Sequence, residues 1–402
     1  MLNQSCMSFA SLTHQHDMIR HDSAHISYRL MSKTPSKIRA VDLDLDLSTP
    51  PESFEKQFPG AQQTHLTLDL TQFGKQHGHL VLPLSQSTVE DGHMMLPVCV
   101  IRGTKPGPTV TLVAGIHGDE FEGPITLQRM AKELTPDSIH GCLILIPCIN
   151  LAGLRRSKRR SPLDGKDMDT CFPGKAAGSI SERVAYEVFQ RLIKPANLVL
   201  DMRSGGIKLN FAPLAAIRSA DGQRVRDAST TDLAQQRQLT SEAAMTAFGA
   251  PHCLRMQGSA ANSCLQGATD AAGIPYVHTE LGGGAASTVE TLAIAWVGCH
   301  NVLRQQGLLK GDVELRSSRT FEIRDNSFYV YATCDGILAQ HLRLGADVHR
   351  GDPLASVVSM VNTGDQAYVL KVPKNATLLA TRHAGPVKAG DLVAILADEV
   401  PQ

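Results

Sequence analysis

The sequence predicts an α/β fold with a mostly parallel sheet flanked by helices, followed by a small C-terminal all-β domain. Apolar runs such as TVTLVAGIHG, CLILIPCIN and NLVLDM alternate with segments of helical spacing. Strands that are apolar on both faces are typical of parallel sheets covered by helices on both sides. Beyond residue 313, short strands alternate with glycine-bearing turns and no long helical pattern appears. We therefore expect an α/β domain at 76–312 and a β domain at 313–402.

The individual elements follow from the same patterns. Residues 1–75 are rich in turn formers and charges, which predicts a loosely ordered extension with one docked strand at Thr64–Leu70. In the α/β domain, HLVLPLS and MMLPVCVIRG precede the three apolar runs as strands, separated by the turn VEDGH. Helices are predicted at Phe121–Leu134, Ser179–Ile193, Ser241–Ala247 and Val289–Gln306. The C-terminal strands are predicted at YVYATC, VLKVP, ATLLATR and LVAILA.

Composition excludes several classes of partner. The 402 residues carry 39 basic and 39 acidic side chains, so no electrostatic argument favours a nucleic acid or an anionic membrane. No apolar run is long enough to span a membrane, and the first thirty residues lack the apolar stretch of a secretory signal. The nine cysteines form no CxxC pair, which is typical of reduced, buried thiols. We expect a cytoplasmic protein.

The segment AGIHGDEFEGP at Ala114–Pro124 ends a predicted strand and opens a predicted helix. His117 and Glu120 therefore fall at the carboxyl edge of a parallel sheet, where α/β proteins place their sites. An imidazole and a carboxylate at this spacing can bind one Zn²⁺. Taken alone, the pair could equally be a surface histidine beside acidic residues that cap the helix.

Three further blocks follow in order: SPLDGKDMDTCFPG at Ser161–Gly174, DMRSGG at Asp201–Gly206 and TELGGG at Thr279–Gly284. Together with GIHGDEFEG they resemble the succinylglutamate desuccinylase/aspartoacylase family, which has a zinc-carboxypeptidase-like fold. Members similar to N-acetyl-diaminobutyrate deacetylases also carry a C-terminal β domain with turns like RGDPLASV. The resemblance implies a zinc amidohydrolase that binds one ion.

The resemblance also implies roles for single residues. His117 and Glu120 match the first two zinc ligands, and Glu280 matches the general base and acid. A bound zinc would lower the pKa of its water to about 7 and polarise the scissile carbonyl. Arg159, within RRSKRRSP, would stabilise the developing oxyanion. For most of the five cations in that stretch, a solvated loop is the simpler interpretation.

One departure from the family concerns the third zinc ligand. The family has the histidine of a D-L-H-x-G-G motif there, and this chain has Arg203. A guanidinium is always charged and has no lone pair for a metal. At 4 Å from a dication and an effective dielectric of 20, it would cost about 8 kcal/mol unless it turned away. The usual zinc site cannot form unchanged.

A second departure is DMDT at Asp167–Thr170, where the family reads close to N-L-N-R and uses its polar residues to hold the substrate. Here Asp169 and Thr170 occupy those positions, and we predict a substrate-binding role for them and for Arg203. One hypothesis is a charge exchange in which Arg203 pairs with Asp169. In another, Arg203 binds a carboxylate of the substrate.

Two side chains are candidates to complete a metal site in place of the missing histidine. His278 lies two residues before Glu280 in a predicted strand, so both side chains project to the same face. Asp169 is an oxygen donor close to the expected pocket. The simpler interpretation of His278 is a partly buried histidine with satisfied hydrogen bonds.

Two functions are compatible with these residues. The first is a zinc-dependent deacylase that hydrolyses the C–N amide bond of a small N-acyl amino acid or a related acyl compound. The second is a metal-free, catalytically inactive family member that binds a small anionic ligand. Retention of His117, Glu120 and Glu280 favours the first, and loss of the third ligand favours the second. In either case we expect a small-molecule ligand, and the C-terminal domain offers a contact for a homo-oligomer.

Overall fold

The structure is a computed structural model that describes residues 64–84, 92–219, 228–258, 263–314, 316–383 and 385–400. Within the segment 228–232 it describes the backbone only. Most of the predicted N-terminal extension and most of the VEDGH turn lie outside the described residues. The predicted domain boundaries near residues 76 and 313 stay predictions.

Strands and helices account for most of the described chain. The strands are β1 His65–Leu66, β2 Gly74–Pro83, β3 His93–Arg102, β4 Lys105–Ala114, β5 His140–Ile146, β6 Leu198–Arg203, β7 Leu209–Phe211, β8 Leu214–Ser219, β9 His252–Gln257, β10 Tyr276–Glu280, β11 Arg319–Ile323, β12 Tyr329–Tyr331, β13 Gly336–Gln340, β14 Asp347–Val348, β15 Pro353–Val358, β16 Tyr368–Lys371, β17 Ala376–Arg382, β18 Pro386–Val387 and β19 Leu392–Glu399. The α-helices are α1 Glu122–Glu133, α2 Leu151–Leu154, α3 Ile180–Val188, α4 Ala228–Phe248, α5 Leu265–Ala271 and α6 Val289–Gln305. Short 3₁₀ turns occur at Pro136–Ser138, Asp169–Cys171 and Asn326–Phe328, and a π turn at Phe189–Ile193.

One large mixed sheet organises the fold. Its strands follow the order β1-β2-β3-β5-β4-β6-β10-β8-β9-β11-β19-β17-β14. The strands from β5 through β4 and β6 to β10 run parallel, as do β8, β9 and β11. The remaining neighbours are antiparallel, including the hairpin of β2 and β3. The predicted α/β class is confirmed, with the parallel strands concentrated at the centre of the sheet.

Both faces of this sheet are buried, as the apolar strands predict. In β4, Leu112 packs into a core that includes Leu127 of α1 and Ile294 of α6. The next residue, Val113, packs into a second core on the opposite face that includes Val184 of α3. Successive side chains of a strand point to opposite faces, so a strand covered on both sides must be apolar at every position.

The C-terminal strands form two arrangements. Strands β16, β15, β13 and β18 make a separate four-stranded antiparallel sheet. The other strands after residue 313 extend the large sheet, through the parallel pair β9–β11 and the antiparallel pair β7–β17. A third apolar core joins β8 to the C-terminal strands, since Leu214 packs in the same cluster as Leu378 and Leu396.

Helix α4 is longer than predicted, and the N-terminal strand is shorter. Helix α4 begins at Ala228, thirteen residues before the predicted start at Ser241. Its first half, rich in Thr and Gln, has no apolar periodicity, so the hydrophobic pattern gives no signal there. At the N-terminal side only His65–Leu66 of the predicted strand Thr64–Leu70 pairs with β2. No described helix is long and apolar enough to cross a membrane.

Candidate active site

Three neighbouring parallel strands bring the predicted site residues together. Strands β4, β6 and β10 are adjacent, so their carboxyl ends meet at one edge of the sheet. His117 and Glu120 lie in the loop between β4 and α1. Arg203 is the last residue of β6, and Glu280, the last residue of β10, pairs with it in register. Residues far apart in sequence thus meet at one edge of the sheet.

His117 is buried and held from both sides of its ring. Its Nδ1 lies 2.6 Å from Oε1 of Glu120, and its Nε2 lies 3.1 Å from Oδ1 of Asp167. The other oxygen of Glu120 accepts a hydrogen bond from the backbone N–H of Ser204, at 3.3 Å. Each ring nitrogen therefore faces a carboxylate.

Asp167 links this histidine to a cation. Its Oδ2 accepts a hydrogen bond from Nε of Arg159 at 2.9 Å. Within the described residues, Nε is the only nitrogen of the Arg159 side chain with a hydrogen-bond partner, and the side chain is 49% exposed. The terminal nitrogens of Arg159 can therefore donate to a bound ligand. We call the series Glu120–His117–Asp167–Arg159 the histidine chain.

The histidine chain shifts the pKa values of its members. Burial by itself lowers the pKa of His117, but the charge of Glu120 and the hydrogen bonds to Asp167 and Glu120 outweigh it and raise this pKa to about 9. Burial raises the pKa of Asp167, and the contacts with His117 and Arg159 reverse this, holding it well below its usual range. The pair formed by His117 and Asp167 is charged at neutral pH.

Arg203 is enclosed by oxygen atoms. Its Nε donates to Oδ2 of Asp201 at 2.6 Å, and Nη1 and Nη2 donate to the two carboxylate oxygens of Asp169 at 3.1 and 2.9 Å. The hydroxyl of Tyr276 donates to Asp201 at 2.6 Å and lies 3.3 Å from Nη2 of Arg203. Asp169 also accepts the backbone N–H of Leu265, at the start of α5, at 3.0 Å. We call Asp169, Arg203, Asp201 and Tyr276 the arginine cluster.

The charges of Arg203 and Asp169 stabilise each other, whereas burial raises the pKa of Asp201. Burial lowers the pKa of Arg203, but Asp169 and Asp201 outweigh it, so the guanidinium pKa lies well above its usual value. Burial raises the pKa of Asp169, and the bidentate contact with Arg203 brings it below its usual value. This is the geometry in which a guanidinium and a carboxylate interact most strongly. Arg203 is therefore a fixed, permanently charged group.

Charges of both the histidine chain and the arginine cluster act on the pKa of Glu280. Burial, together with the negative charge of Glu120, outweighs the attraction of the nearby cations and raises the pKa of Glu280 to about 8. Its Oε2 is buried without a hydrogen-bond partner among the described residues. Glu280 therefore carries a proton at neutral pH in this structure and can donate it to a ligand.

The remaining predicted residues have less direct positions. His278 packs beside Tyr276, with ring centroids 6.1 Å apart. Burial, with the cations Arg203 and Arg218 adding to it, lowers the pKa of His278 to about 3, so its ring is neutral. Thr170 is exposed and its hydroxyl donates to the backbone carbonyl of Asp167 at 2.9 Å. Roles for these residues in metal or substrate binding stay predictions.

The glycine run after Glu280 packs against the chain's own backbone. A Cβ at Gly283, where φ is +150°, would lie 1.9 Å from the carbonyl oxygen of Leu209. The carbonyl of the preceding Gly282 accepts hydrogen bonds from the backbone N–H groups of Gly205 and Phe211. The glycines thus let the segment after β10 lie directly on the segment after β6, which brings Glu280 and Arg203 to a common wall.

The donors present do not fit the zinc ion that the resemblance implies. His117 and Glu120, the predicted first two ligands, lie 2.6 Å apart, but the predicted third position is Arg203, which cannot donate a lone pair. Both ring nitrogens of His117 face carboxylates, and a single ring can offer only one nitrogen to one ion. The described residues contain no group of three or more His, Cys, Asp or Glu side chains placed to hold a metal.

Two residues at the site, Asp167 and Tyr276, were not predicted from the sequence. Asp167 was noted only as part of the DMDT motif, yet it joins His117 to Arg159. The motif carried the signal, because two aspartates replace two polar positions of the family pattern. Tyr276 has no comparable signal in the sequence, because its hydroxyl contact with Asp201 depends on the pairing of β10 with β6.

Fold and site together define a zinc-carboxypeptidase-like α/β protein with acidic and basic side chains at the carboxyl edge of its sheet. The chain belongs to the succinylglutamate desuccinylase/aspartoacylase family. The family's catalytic-domain model, described as "Succinylglutamate desuccinylase/Aspartoacylase catalytic domain", matches residues 106–305. The N-alpha-acetyl-L-2,4-diaminobutyric acid deacetylase of Halomonas elongata is 34% identical over 297 residues, covering 73% of this chain and 83% of the relative. The predicted family is confirmed.

Solved structures agree with this assignment. The product-bound ectoine utilization protein EutE from Ruegeria pomeroyi superposes with a TM-score of 0.77 at 32% identity, over 84% of this chain and 99% of that one. A succinylglutamate desuccinylase/aspartoacylase from Rhodobacter sphaeroides has a TM-score of 0.76 at 26% identity, with the same coverage. These relatives include a deacetylase, and the family is in general zinc-dependent.

Proposed function

We propose that this chain is a deacylase that binds a small N-acyl amino acid or a related acyl compound and hydrolyses its C–N amide bond. The observation that carries the proposal is the grouping of His117, Glu120, Arg159 and Glu280 at one edge of the sheet. The 34% identical relative is named as a deacetylase of an N-acetylated amino acid, which supports this substrate class.

The side chains suggest how a substrate is oriented. Arg159 keeps its terminal nitrogens available, while the guanidinium of Arg203 is engaged by Asp169 and Asp201. The acyl carbonyl or a carboxylate of the substrate is therefore expected to bind Arg159 rather than Arg203. Glu280, which carries a proton at neutral pH, is suited to donate it to the leaving amine, and the carboxylate formed can then accept the proton that the attacking water releases.

No step of this reaction is assigned to zinc, because the donors at the third ligand position do not fit it. In the family the metal would polarise the carbonyl and activate water. In this chain His117 and Glu120 are the residues that would approach such an ion. The proposal therefore rests on substrate binding and proton donation by the chain's own side chains.

A second candidate function is a metal-free, catalytically inactive member that binds a small anionic ligand. Two observations favour it. The arginine cluster occupies the position of the third ligand. A protonated Glu280 is also poorly suited to remove a proton from water. Arg159 would then be the residue that binds the anion.

The two candidates are separated by measuring binding and turnover on the same compounds. Nα-acetyl-2,4-diaminobutyrate and N-succinylglutamate would be tested by calorimetry and by release of free amine. Amine release that is lost in Glu280→Gln supports the deacylase, and binding without release supports the second candidate. The exposed Glu290→Gln is a matched control that should behave like the wild type. Neither binding nor release of these compounds would contradict both candidates for this substrate class.

A further inference from the structure

The third ligand position differs from the family in charge as well as in residue type. The residue there has to supply a lone pair if zinc is to bind. Arg203 supplies a fixed positive charge instead, and the oxygens that surround it come from three side chains: Asp169, Asp201 and Tyr276.

The Arg203 side chain cannot move toward solvent without leaving its two carboxylate partners unpaired. The side chain is 13% exposed, and its two carboxylate partners are 17% and 0% exposed. Moving the guanidinium toward solvent would leave Asp169 and Asp201 buried beside each other without a cation. Burying an uncompensated charge is strongly unfavourable, so the arrangement holds Arg203 in place.

The partners of Arg203 are themselves held by the fold. The backbone N–H of Leu265 fixes Asp169 at the start of α5, and the hydroxyl of Tyr276 fixes Asp201. Asp201 and Tyr276 lie on the adjacent strands β6 and β10. The partners of Arg203 are therefore held in place by the fold, and the cluster is more than a contact made by one flexible side chain.

We infer that the arginine cluster is a permanent structural substitute for the third metal ligand, and that the wild-type pocket does not hold zinc between His117 and Glu120. Arg203 and Asp169 form a matched pair: the arginine excludes the metal, and the aspartate neutralises the arginine. The inference concerns the metal alone and does not depend on a substrate or on turnover.

The test is the zinc content of four proteins after dialysis against zinc and then against metal-free buffer: wild type, Arg203→His, Asp169→Asn, and the double variant. We expect substoichiometric zinc in the wild type and in Asp169→Asn. The double variant should bind about one equivalent, with zinc affinity rising at least about a thousandfold, because a nearby cation is removed and an imidazole donor is added. Adding zinc should raise the melting temperature of the double variant and not that of the wild type.

Two controls make the result specific to this pocket. Arg382→His with Asp391→Asn alters a second partly buried ion pair, 3.0 Å apart, in the C-terminal region, and should gain no zinc. Adding His117→Ala to the double variant should remove the gained zinc. The inference is overturned if the wild type binds one equivalent that His117→Ala abolishes, a result that stands even if the double variant does not fold. It is equally overturned if the folded double variant binds none. None of these measurements involves substrate, so the proposed function can fail separately.

Discussion

The histidine chain and the arginine cluster are neighbours, yet they use their charges in opposite ways. Each contains an aspartate of the DMDT motif, Asp167 in the first and Asp169 in the second. Asp167 pairs with an arginine that is 49% exposed and whose terminal nitrogens have no partner among the described residues, whereas Asp169 pairs with an arginine that is 13% exposed and enclosed. The comparison teaches that two similar ion pairs, whose aspartates are two residues apart in sequence, can differ strongly in how far the fold encloses their arginines.

The largest expected effect comes from removing the enclosed cation. Arg203→Met leaves Asp169 and Asp201 without their partner, and we expect a loss of about 3–5 kcal/mol in the free energy of unfolding. Chemical denaturation at neutral pH measures it. Arg324→Met, at an exposed ion pair with Glu322, is the control and should change stability by less than about 1 kcal/mol. A loss in Arg203→Met as small as that of the control would show that the cluster is not structural.

Glu280 lies between the two groups, and its protonation should make stability depend on pH. Its pKa is about 8 in the folded protein against 4.5 when unperturbed, so the unfolded chain releases the proton first as pH rises. Wild-type stability should fall between pH 4.5 and 8 relative to Glu280→Gln, which mimics the protonated acid. By pH 8 the variant should be more stable by a few kcal/mol, as measured by denaturation at pH 5 and pH 8. If the stability difference between wild type and Glu280→Gln were the same at pH 5 and pH 8, a buried, protonated Glu280 would be contradicted.

Removing one hydroxyl from the arginine cluster tests its internal hydrogen bonds. Tyr276→Phe deletes the donor to Asp201 and should lower the free energy of unfolding by about 1–2 kcal/mol. Tyr331→Phe, at a side chain that is 49% exposed in β12, is the matched control and should be close to neutral. Equal stability of Tyr276→Phe and wild type would mean that Asp201 is satisfied without the tyrosine.

The smallest stability effect is expected in the histidine chain, where the effect on ligand binding should be larger. Arg159→Met removes a half-exposed ion pair and should cost no more than about 1 kcal/mol in stability. Its affinity for an N-acyl amino acid should fall by about tenfold or more, because a charge-assisted hydrogen bond is lost. Calorimetry on both proteins checks this. Arg160→Met, next along the chain, should retain affinity, and a similar loss in both variants would assign the effect to general charge.

Much of the fold could be predicted because burial imposes a pattern on the sequence. The buried second half of β4 and the first half of β6 are largely apolar, since each face of the sheet is covered by a separate core. The start of helix α4 could not be predicted in this way, because the first half of the helix has no apolar periodicity. The glycines after Glu280 were visible as a run, but the backbone of Leu209 that lies against Gly283 was not.

The sequence by itself determined the family, the α/β class and the positions at which this chain departs from the family pattern. These depend only on the order of residue types along the chain. It placed Arg203 where the family pattern has a histidine, and Asp169 where that pattern has a neutral polar residue. Only the tertiary structure decided that these two form a bidentate pair, that Asp201 and Tyr276 complete the enclosure, and that Asp167 joins His117 to Arg159. The physical reason is that these contacts arise from the register of β6 against β10 and from loops folded over the same sheet edge, which no local pattern encodes.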